Sequence, residues 1–279
     1  MKRAVVFDVD NTLTKAREAL DAGMARRLGA LGRPFALAAG SDRDLLMSQF
    51  FQPLHAHGFR GQFDAFLCNG ALRYRCRCDS ELELTLLGEF SLRSHLGEWA
   101  FGALQLLLGD LLLDPRFALP SEVSVVGERI IDRRGMINLA PSGRERGALS
   151  ALGRRSREQF VSFDAQTGYR TRLMPVLRKA LDEVLPGNDL QVSLGGQTSF
   201  DLVVRGRDKS FAVRSLLEEG MDHVTYVGDA LFPGGNDAAV VDFILAWQGS
   251  PCPVDVIQVR DVAHTAELLD GWADAGTGR

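Results

Sequence analysis

The sequence predicts an α/β protein with a doubly wound, parallel-sheet core into which a second α/β domain is inserted. Short β-branched or aromatic runs alternate with helical segments near both ends of the chain, as in parallel sheets. The runs end in Asp, Asn, Gly or Ser, and a different mixture of helices and strands fills the middle. The length of 279 residues exceeds one average domain and accommodates the insertion.

The predicted core strands are short and apolar, which is typical of strands buried on both faces of a parallel sheet. They are Arg3–Phe7, Pro34–Ala38, Ala65–Leu67, Val224–Val227 and Val254–Val259. Helices are predicted over Ala16–Gly32 and Asp42–His57, the second with Ser41 and Asp42 at its N-cap. Ligands of such sheets bind at the carboxyl ends of the strands, so the residues that follow each strand are the candidates for chemistry.

Residues 84–205 are predicted to form the inserted domain, and residues 1–83 and 206–279 the core. Helical patterns in the insert lie around Phe90–Leu113 and Leu173–Leu185. Its predicted strands are Val123–Val126, Met136–Leu139 and Leu190–Leu194. The apolar run Phe101–Leu113 contains Asp110 and is shorter than the roughly 18 to 20 residues of a membrane span, which favours a buried helix.

Composition narrows the classes of function. An apolar fraction of 46% is enough for a packed core, and the formal charge of −4 does not favour a nucleic-acid or membrane partner. The apolar run at the N-terminus is too short for a signal peptide, so a cytoplasmic location is expected. The four cysteines are expected to be reduced thiols, since Cys76 and Cys78 lack the second ligand pair of a zinc site.

The strongest chemical signal is the segment DVDNTLT, which begins at Asp8 directly after the first strand. Two carboxylates, Asp8 and Asp10, can both project into the crevice while the chain turns at the strand end. This arrangement suits one carboxylate as a nucleophile and the other as a proton shuttle. A buried carboxylate pair also calls for a cation, and oxygen ligands suit Mg²⁺.

Three further segments follow in a consistent order along the chain. Ser41 comes after the second strand, where a hydroxyl and a helix N-terminus can hold a phosphoryl oxygen. Lys209, one of only four lysines among 32 basic residues, can neutralise the nucleophile and the phosphate. Asp229 follows a strand and is expected to complete the metal site, with Asn236 and Asp237 behind it.

This set of residues resembles the haloacid dehalogenase (HAD) superfamily of phosphatases and phosphomutases. The resemblance implies a Rossmann-like core, with Asp8 as the phosphorylated nucleophile and Asp10 as the general acid and base. It implies that Ser41 and Lys209 bind phosphate. It also implies that Asp8, the backbone carbonyl of Asp10, and Asp229 hold Mg²⁺. Most members have Gly where this chain has Asn11, and we expect the turn to be kept because Asn tolerates left-handed geometry.

A more specific resemblance is to the eukaryotic-type phosphomannomutases. Matching stretches run in the same order along the whole chain. They are FDVDNTLTKAR (7–17), GSD (40–42), NGALRY (69–74), SHLGE (94–98), RRGMINLAPSGR (133–144), LGGQTSFD (194–201) and VGDALFPGGND (227–237). The chain departs from the family at Cys68, where Glu is usual, at Arg134, where Asn is usual, and in extra residues between Arg144 and Arg157.

Carried over by position, the family resemblance implies a set of residues that contact the substrate. They are Arg17 in the core and Arg133, Arg144, Arg157, Ser199 and Asp201 in the insert. The planar guanidinium fork of arginine suits the second phosphate that a phosphomutase must bind. The implied activity is interconversion of mannose 6-phosphate and mannose 1-phosphate. A hexose 1,6-bisphosphate is implied as the intermediate and activator, and a homodimer through the cap as the assembly.

Two alternatives remain open at this point. A HAD-type sugar-phosphate phosphatase would share every core residue and differ only in letting water reach the phosphorylated aspartate. A non-catalytic sugar-phosphate-binding protein would not need the complete set of Asp8, Asp10, Lys209 and Asp229. The preference for mannose over glucose depends on the shape of the pocket in the cap, which the sequence does not give.

Overall fold

The computed structural model describes residues 1–145 and 149–277, which form two units. The first unit contains residues 1–89, 206–233 and 237 onward, and the second contains residues 90–205 and 234–236. Residue 84, where the inserted domain is predicted to begin, lies within a strand of the first unit that ends at Glu89.

The elements are numbered along the chain. The strands are β1 (Arg3–Phe7), β2 (Phe35–Ala38), β3 (Gly61–Leu67), β4 (Leu72–Cys78), β5 (Leu82–Glu89), β6 (Glu128–Asp132), β7 (Met136–Arg144), β8 (Leu190–Gly195), β9 (Ser199–Val204), β10 (His223–Gly228) and β11 (Val254–Gln258). The α-helices are α1 (Ala22–Gly29), α2 (Arg43–Leu46), α3 (Gln52–Ala56), α4 (Leu92–Leu113), α5 (Ala151–Thr167), α6 (Tyr169–Val184), α7 (Ser210–Glu218), α8 (Ala238–Leu245) and α9 (Val262–Thr277). A π-helical segment, Met47–Phe51, joins α2 to α3, and a short 3₁₀ turn covers Pro115–Phe117.

The first unit is built on a seven-stranded sheet in the order β11-β10-β1-β2-β3-β4-β5. The five strands from β11 to β3 are parallel, and β4 and β5 add an antiparallel hairpin at one edge. Helix α7 packs on β1, β2 and β10, while α1 packs against α9 and α3. The predicted doubly wound core is confirmed. Its central strand β1 is buried from Ala4 to Phe7, which explains why its sequence is a continuous apolar run.

The second unit has a four-stranded antiparallel sheet in the order β6-β7-β9-β8. Helices α4, α5 and α6 pack with this sheet. Its core includes Phe101, Phe160, Tyr169, Leu177 and Phe200, each no more than 1% exposed. The rings of Phe160 and Tyr169 meet edge to face, 5.7 Å apart, which adds directional packing to the buried apolar area.

One predicted element is wrong in its extent, and another is wrong in its type. Helix α1 begins at Ala22 rather than at Ala16, because Arg17 adopts a left-handed φ of +64° and Asp21 caps the helix by accepting from the N–H of Met24. Val123–Val126 is not a strand. The N–H of Ser124 there donates to the side chain of Gln159 instead of to a neighbouring strand.

Helix α4 is long and apolar enough to span a membrane, but core helices of globular proteins can have the same length and composition. Gly97, with φ +80°, interrupts its helical geometry near the start. Phe101, Leu104, Leu108 and Leu111 recur at helical spacing and are buried in the core of the second unit. This buried face agrees with the prediction of a core helix.

A cluster of ion pairs stabilises the hairpin of β3 and β4, away from the carboxyl ends of the parallel strands. The buried carboxylate of Asp64 accepts from Arg75 at 2.8 Å and from Arg73, which also binds Glu219. Burial favours the neutral form of Asp64, but the hydrogen bonds from the two arginines outweigh it and lower the pKa of Asp64 below its ordinary value. The ionised carboxylate is therefore the form that stabilises the fold.

We expect Asp64→Asn to lower the free energy of unfolding by about 1–3 kcal/mol at pH 7, because it removes the buried charged acceptor of Arg73 and Arg75. The stabilisation by Asp64 is present above its unfolded pKa of about 3.9 and is lost as the pH falls through the lower folded value. Chemical denaturation followed by circular dichroism measures both effects.

The matched control is Asp255→Asn, which removes an exposed partner of His223 from the same sheet. It should change the free energy of unfolding by less than about 1 kcal/mol. Equal losses in the two variants, or an acid transition unchanged by Asp64→Asn, would contradict the role given to Asp64.

Candidate active site

The topology of the first sheet brings three predicted site residues to one edge. Strand β1 pairs in parallel with β2 on one side and β10 on the other, so their carboxyl ends lie side by side. Asp8 follows β1, Ser41 lies three residues after β2, and Asp229 follows β10. Cys68, which follows β3, donates its backbone N–H to the carbonyl of Ser41 at 3.1 Å and so anchors the Ser41 loop.

Lys209 lies at the start of α7 and is 1% exposed, although it carries a charge. Its Nζ donates to Asp8 Oδ1 at 2.6 Å and to Asp237 Oδ1 at 2.7 Å. The hydroxyl of Tyr226 donates to the same oxygen of Asp237 at 2.6 Å. The ammonium is thus held between two buried carboxylates, which is the condition under which a buried lysine stays charged.

Electrostatics at this cluster are dominated by burial. Burial raises the pKa of Asp8 well above its ordinary value; Lys209 acts in the opposite direction, and the carboxylates of Asp237 and Asp229 add to the rise. Burial lowers the pKa of Lys209, but Asp237 and Asp8 outweigh it and raise that pKa. Burial and Asp237 also raise the pKa of Asp229. The cluster contains three carboxyl groups and one ammonium, so its fully ionised form carries a net negative charge.

Oxygen atoms of Asp8, Asp229 and Asp237 lie within 4.8 Å of one another. An oxygen-only donor set with excess negative charge fits a hard divalent cation such as Mg²⁺. Asp237 also accepts the N–H of Ala230 at 3.0 Å, so its carboxylate is held by neighbours on several sides. Gly228 permits this close approach, because a Cβ there would lie 2.5 Å from Asp237 Oδ2. Asn236 is half-buried and belongs to the short segment 234–236 of the second unit.

Asp10 follows Asp8 by two residues, and its carboxylate has different partners. Its Oδ1 accepts from the side chain of Gln49 at 2.7 Å and from the backbone N–H of Arg17 at 3.1 Å. Asn11 adopts φ +61°, so the turn expected at this departure from the family is present. Its side chain donates to Asp229 at 3.4 Å, which ties the turn to the end of β10.

A second polar cluster lies on the sheet of the second unit. Asn138 on β7 is directly opposite Asp201 on β9, and its Nδ2 donates to Asp201 Oδ1 at 2.5 Å and to Ser199 Oγ at 2.7 Å. All three side chains are no more than 3% exposed. A Cβ on Gly195 would lie 2.4 Å from Asp201 and 2.6 Å from Ser199, so only glycine fits beside this cluster. Sequence reasoning identified Ser199 and Asp201 but missed Asn138.

Arg170 on α6 holds the loop that precedes Ser199. Its guanidinium donates to the carbonyls of Gly196 at 2.8 Å and Ser199 at 3.3 Å, and pairs with Asp164 at 2.7 Å. Arg170 is 8% exposed. It was missed in a sequence with 28 arginines, where burial is the only signal that separates it from surface arginines.

The three arginines predicted for the insert lie on different elements. Arg133 is buried in the turn between β6 and β7, Arg144 is the last residue of β7, and Arg157 lies on α5. Arg134, which follows Arg133, adopts φ +65° and closes the turn between β6 and β7. Arg157 donates to the side chain of Gln197 at 2.9 Å, next to the loop held by Arg170. Their convergence on one anion stays a prediction.

We expect Lys209→Met to lower the free energy of unfolding by about 3–5 kcal/mol, since it removes the cation from between two buried carboxylates. Lys179→Met is the matched control, because Lys179 is 79% exposed and its one ion pair among the described residues is with Glu183, one turn away. It should change the free energy of unfolding by less than about 1 kcal/mol. Thermal and chemical unfolding measure the difference, and similar values for the two lysines would contradict the geometry described for Lys209.

Comparisons with known proteins give a consistent result. The family model for eukaryotic phosphomannomutase matches residues 37–243. The phosphomannomutase of Schizosaccharomyces pombe is 30% identical over 238 residues, which are 85% of this chain and 84% of the relative. Phosphomannomutase 2 of Dictyostelium discoideum is 27% identical over 271 residues, 96% of this chain and 95% of the relative.

Among solved structures, the N-terminally truncated, IMP-bound IMP-nucleotidase of Plasmodium falciparum is similar in fold. It aligns with a TM-score of 0.62 and 12% identity, covering 98% of this chain and 68% of that chain. This likeness supports the fold alone, a Rossmann-like core with a cap of the HAD type.

Proposed function

The chain belongs to the eukaryotic phosphomannomutase family, and from this premise we propose that it interconverts mannose 6-phosphate and mannose 1-phosphate. The reaction proceeds through a phosphorylated aspartate and a hexose 1,6-bisphosphate. The observation that supports this proposal most directly is the 2.6 Å contact between the buried Lys209 ammonium and Asp8 at the end of the central strand.

Asp8 is the nucleophile in this proposal. Its carboxylate attacks phosphorus, and the bond from phosphorus to the sugar oxygen breaks. Phosphoryl transfer depends mainly on positioning and charge neutralisation. Lys209 supplies a compact positive charge at Asp8 Oδ1, and Asp237 and Tyr226 hold Lys209 in place. Ser41, at the end of the neighbouring strand, donates to a phosphoryl oxygen.

Asp10 is the general acid and base. It gives its proton to the departing sugar oxygen in one half of the reaction and takes the proton from the attacking hydroxyl in the other half. The bisphosphate reorients between the two halves, so that Asp8 takes back the phosphate from the opposite end. The same bisphosphate primes Asp8 and acts as activator.

The metal ion in this proposal is Mg²⁺, held by Asp8, the backbone carbonyl of Asp10, and Asp229. Asn236 and Asp237, which follow Asp229 in the chain, support these ligands without binding the ion directly. When bound, the ion neutralises charge on the transferring phosphoryl group and keeps Asp8 ionised. The grouping of the three carboxyl groups of Asp8, Asp229 and Asp237 around a single ammonium supports this assignment.

Arg17, Arg133, Arg144 and Arg157 bind the phosphate that is not reacting, since arginine recognises phosphate with two parallel hydrogen bonds. Ser199 and Asp201 bind sugar hydroxyls. Asn138 holds both of these side chains and fixes their direction. The substrates are thus small hexose phosphates. A cytoplasmic location stays a prediction.

A coupled assay that detects mannose 6-phosphate formed from mannose 1-phosphate tests the proposal. We expect turnover that requires a hexose 1,6-bisphosphate and a divalent metal, and we expect Asp8→Asn to reduce it by at least about 1000-fold. Asp255→Asn is the control, because Asp255 is exposed and is not one of the proposed site residues. This variant should keep the wild-type turnover.

The phosphatase alternative has a distinct outcome in the same assay. Release of inorganic phosphate without any bisphosphate requirement, and without isomerised product, would show a sugar-phosphate phosphatase. Turnover unchanged by Asp8→Asn would show that the assignment of the nucleophile is wrong.

We also propose that two copies of the chain associate through α4. Trp99, Leu106 and Leu113 are 79%, 72% and 83% exposed. They recur every seven residues, so they form one stripe on the side of the helix away from its buried face. Gly102 and Gly109 lie between them, and a Cβ at either position would meet open space. A flat apolar stripe of this kind fits a second copy of the same helix.

Leu106→Glu should convert the dimer into a monomer, because it places a charge in the centre of the apolar stripe. The neighbouring change Gln105→Glu adds the same charge beside the stripe and serves as control. Light scattering coupled to size-exclusion chromatography measures the mass. A wild-type monomer, or a dimer unchanged by Leu106→Glu, would contradict the proposal.

A further inference from the structure

Gln49 is a polar side chain in an apolar segment, and the proposed reaction assigns it no role. It is 2% exposed and lies beside the fully buried Phe50 and Phe51. Its Nε2 donates at 2.7 Å to Asp10 Oδ1 and at 2.7 Å to Thr14 Oγ1. Both partners belong to the loop that follows β1. Burying an amide costs free energy unless its N–H groups form hydrogen bonds. The two contacts of the Gln49 amide with this loop are therefore specific.

The backbone around Gln49 strengthens the connection. Gln49 lies in the π-helical segment Met47–Phe51, a wide turn that is rare within helices and is frequent at functional sites. Its carbonyl accepts the N–H of Leu20 at 2.8 Å. One residue therefore ties the loop at Asp10, Thr14 and Leu20.

The contacts on Asp10 distinguish its two oxygens. Gln49 and the backbone N–H of Arg17 both donate to Oδ1, and neither contacts Oδ2. A carboxyl oxygen accepts N–H donors in both the ionised and the protonated form, so the two donors fix the direction of the carboxyl group in either form. The orientation of the Asp10 carboxyl group is therefore set at Oδ1, which leaves Oδ2 for exchange of a proton.

We propose that Gln49 is a positioning residue for Asp10, which fixes the carboxyl group so that Oδ2 exchanges the proton with the sugar oxygen. This inference rests on the proposed function. In the step concerned, the Asp8 oxygen–phosphorus bond forms, the phosphorus–sugar oxygen bond breaks, and the proton on Oδ2 passes to that sugar oxygen. Gln49 itself neither gains nor loses a proton.

The test separates proton transfer from nucleophilic attack by the choice of leaving group. Gln49→Met keeps the size of the side chain and removes its donors. We expect kcat for mannose 1-phosphate to fall by about 10- to 100-fold with KM changed by less than about threefold, since misorientation acts on the transition state. Phosphorylation of Asp8 by acetyl phosphate should keep its wild-type rate, because acetate leaves as a stable anion and needs no proton.

Ser48→Ala is the matched control. Ser48 lies in the same π-helical segment and donates only to the carbonyl of Leu45 in the contacts described, so both rates should stay at the wild-type level. Gln49→Glu is the second variant, used if Gln49→Met has a lowered melting temperature. Its carboxylate keeps the size of the side chain, repels Asp10 and should give the same selective loss.

Two results would overturn the inference. One is a kcat within twofold of wild type in both Gln49 variants. The other is an equal fall in the acetyl phosphate rate, which would mark Gln49 as a general support of the fold. A wild-type protein that reacts with acetyl phosphate but does not isomerise mannose 1-phosphate would disprove the proposed function instead. The role of Gln49 would then be measured from the hydrolysis of phosphorylated Asp8, in which Asp10 takes a proton from water.

Discussion

The burial of one ammonium group between two carboxylates is the constraint on which the site depends. Lys209 is charged and almost fully buried, and it stays so only because Asp8 and Asp237 are held within 2.7 Å of its Nζ. Tyr226 and the narrow space at Gly228 fix Asp237 in turn. The same contacts that make the cluster stable leave Asp8 at the end of the central strand with a positive charge beside it. Stability and chemistry therefore rest on the same atoms.

The parts of this site that the sequence predicted are those fixed by the parallel sheet. Asp8 and Asp229 each follow a short apolar strand, and parallel strands bring such ends to one edge. Ser41 could be placed by the same reasoning. Lys209 was identified because lysine is rare in this chain and because it lies between Ser41 and Asp229 in the expected order. The core fold was predictable for the same reason, since β-α alternation allows few topologies.

The parts that were missed depend on contacts between residues distant in sequence. Gln49 contacts Asp10 across 39 residues, and only its polarity beside two phenylalanines signals a role. Asn138 and Arg170 act through partners on other elements of the insert, for which local spacing gives no sign. The first helix was predicted to start six residues too early, because its pattern does not show that Arg17 takes a left-handed conformation. Tertiary contacts override local propensity at each of these points.

The central claim is that Asp8, held beside Lys209, accepts the phosphoryl group. The most direct measurement is mass spectrometry of acid-quenched protein after brief exposure to a hexose 1,6-bisphosphate and magnesium. The account predicts the added mass of one phosphoryl group on the peptide that contains Asp8, and no such mass when Asp8 is replaced by Asn. A phosphoryl group on another residue, or turnover with no phosphorylated protein at any quench time, would contradict it.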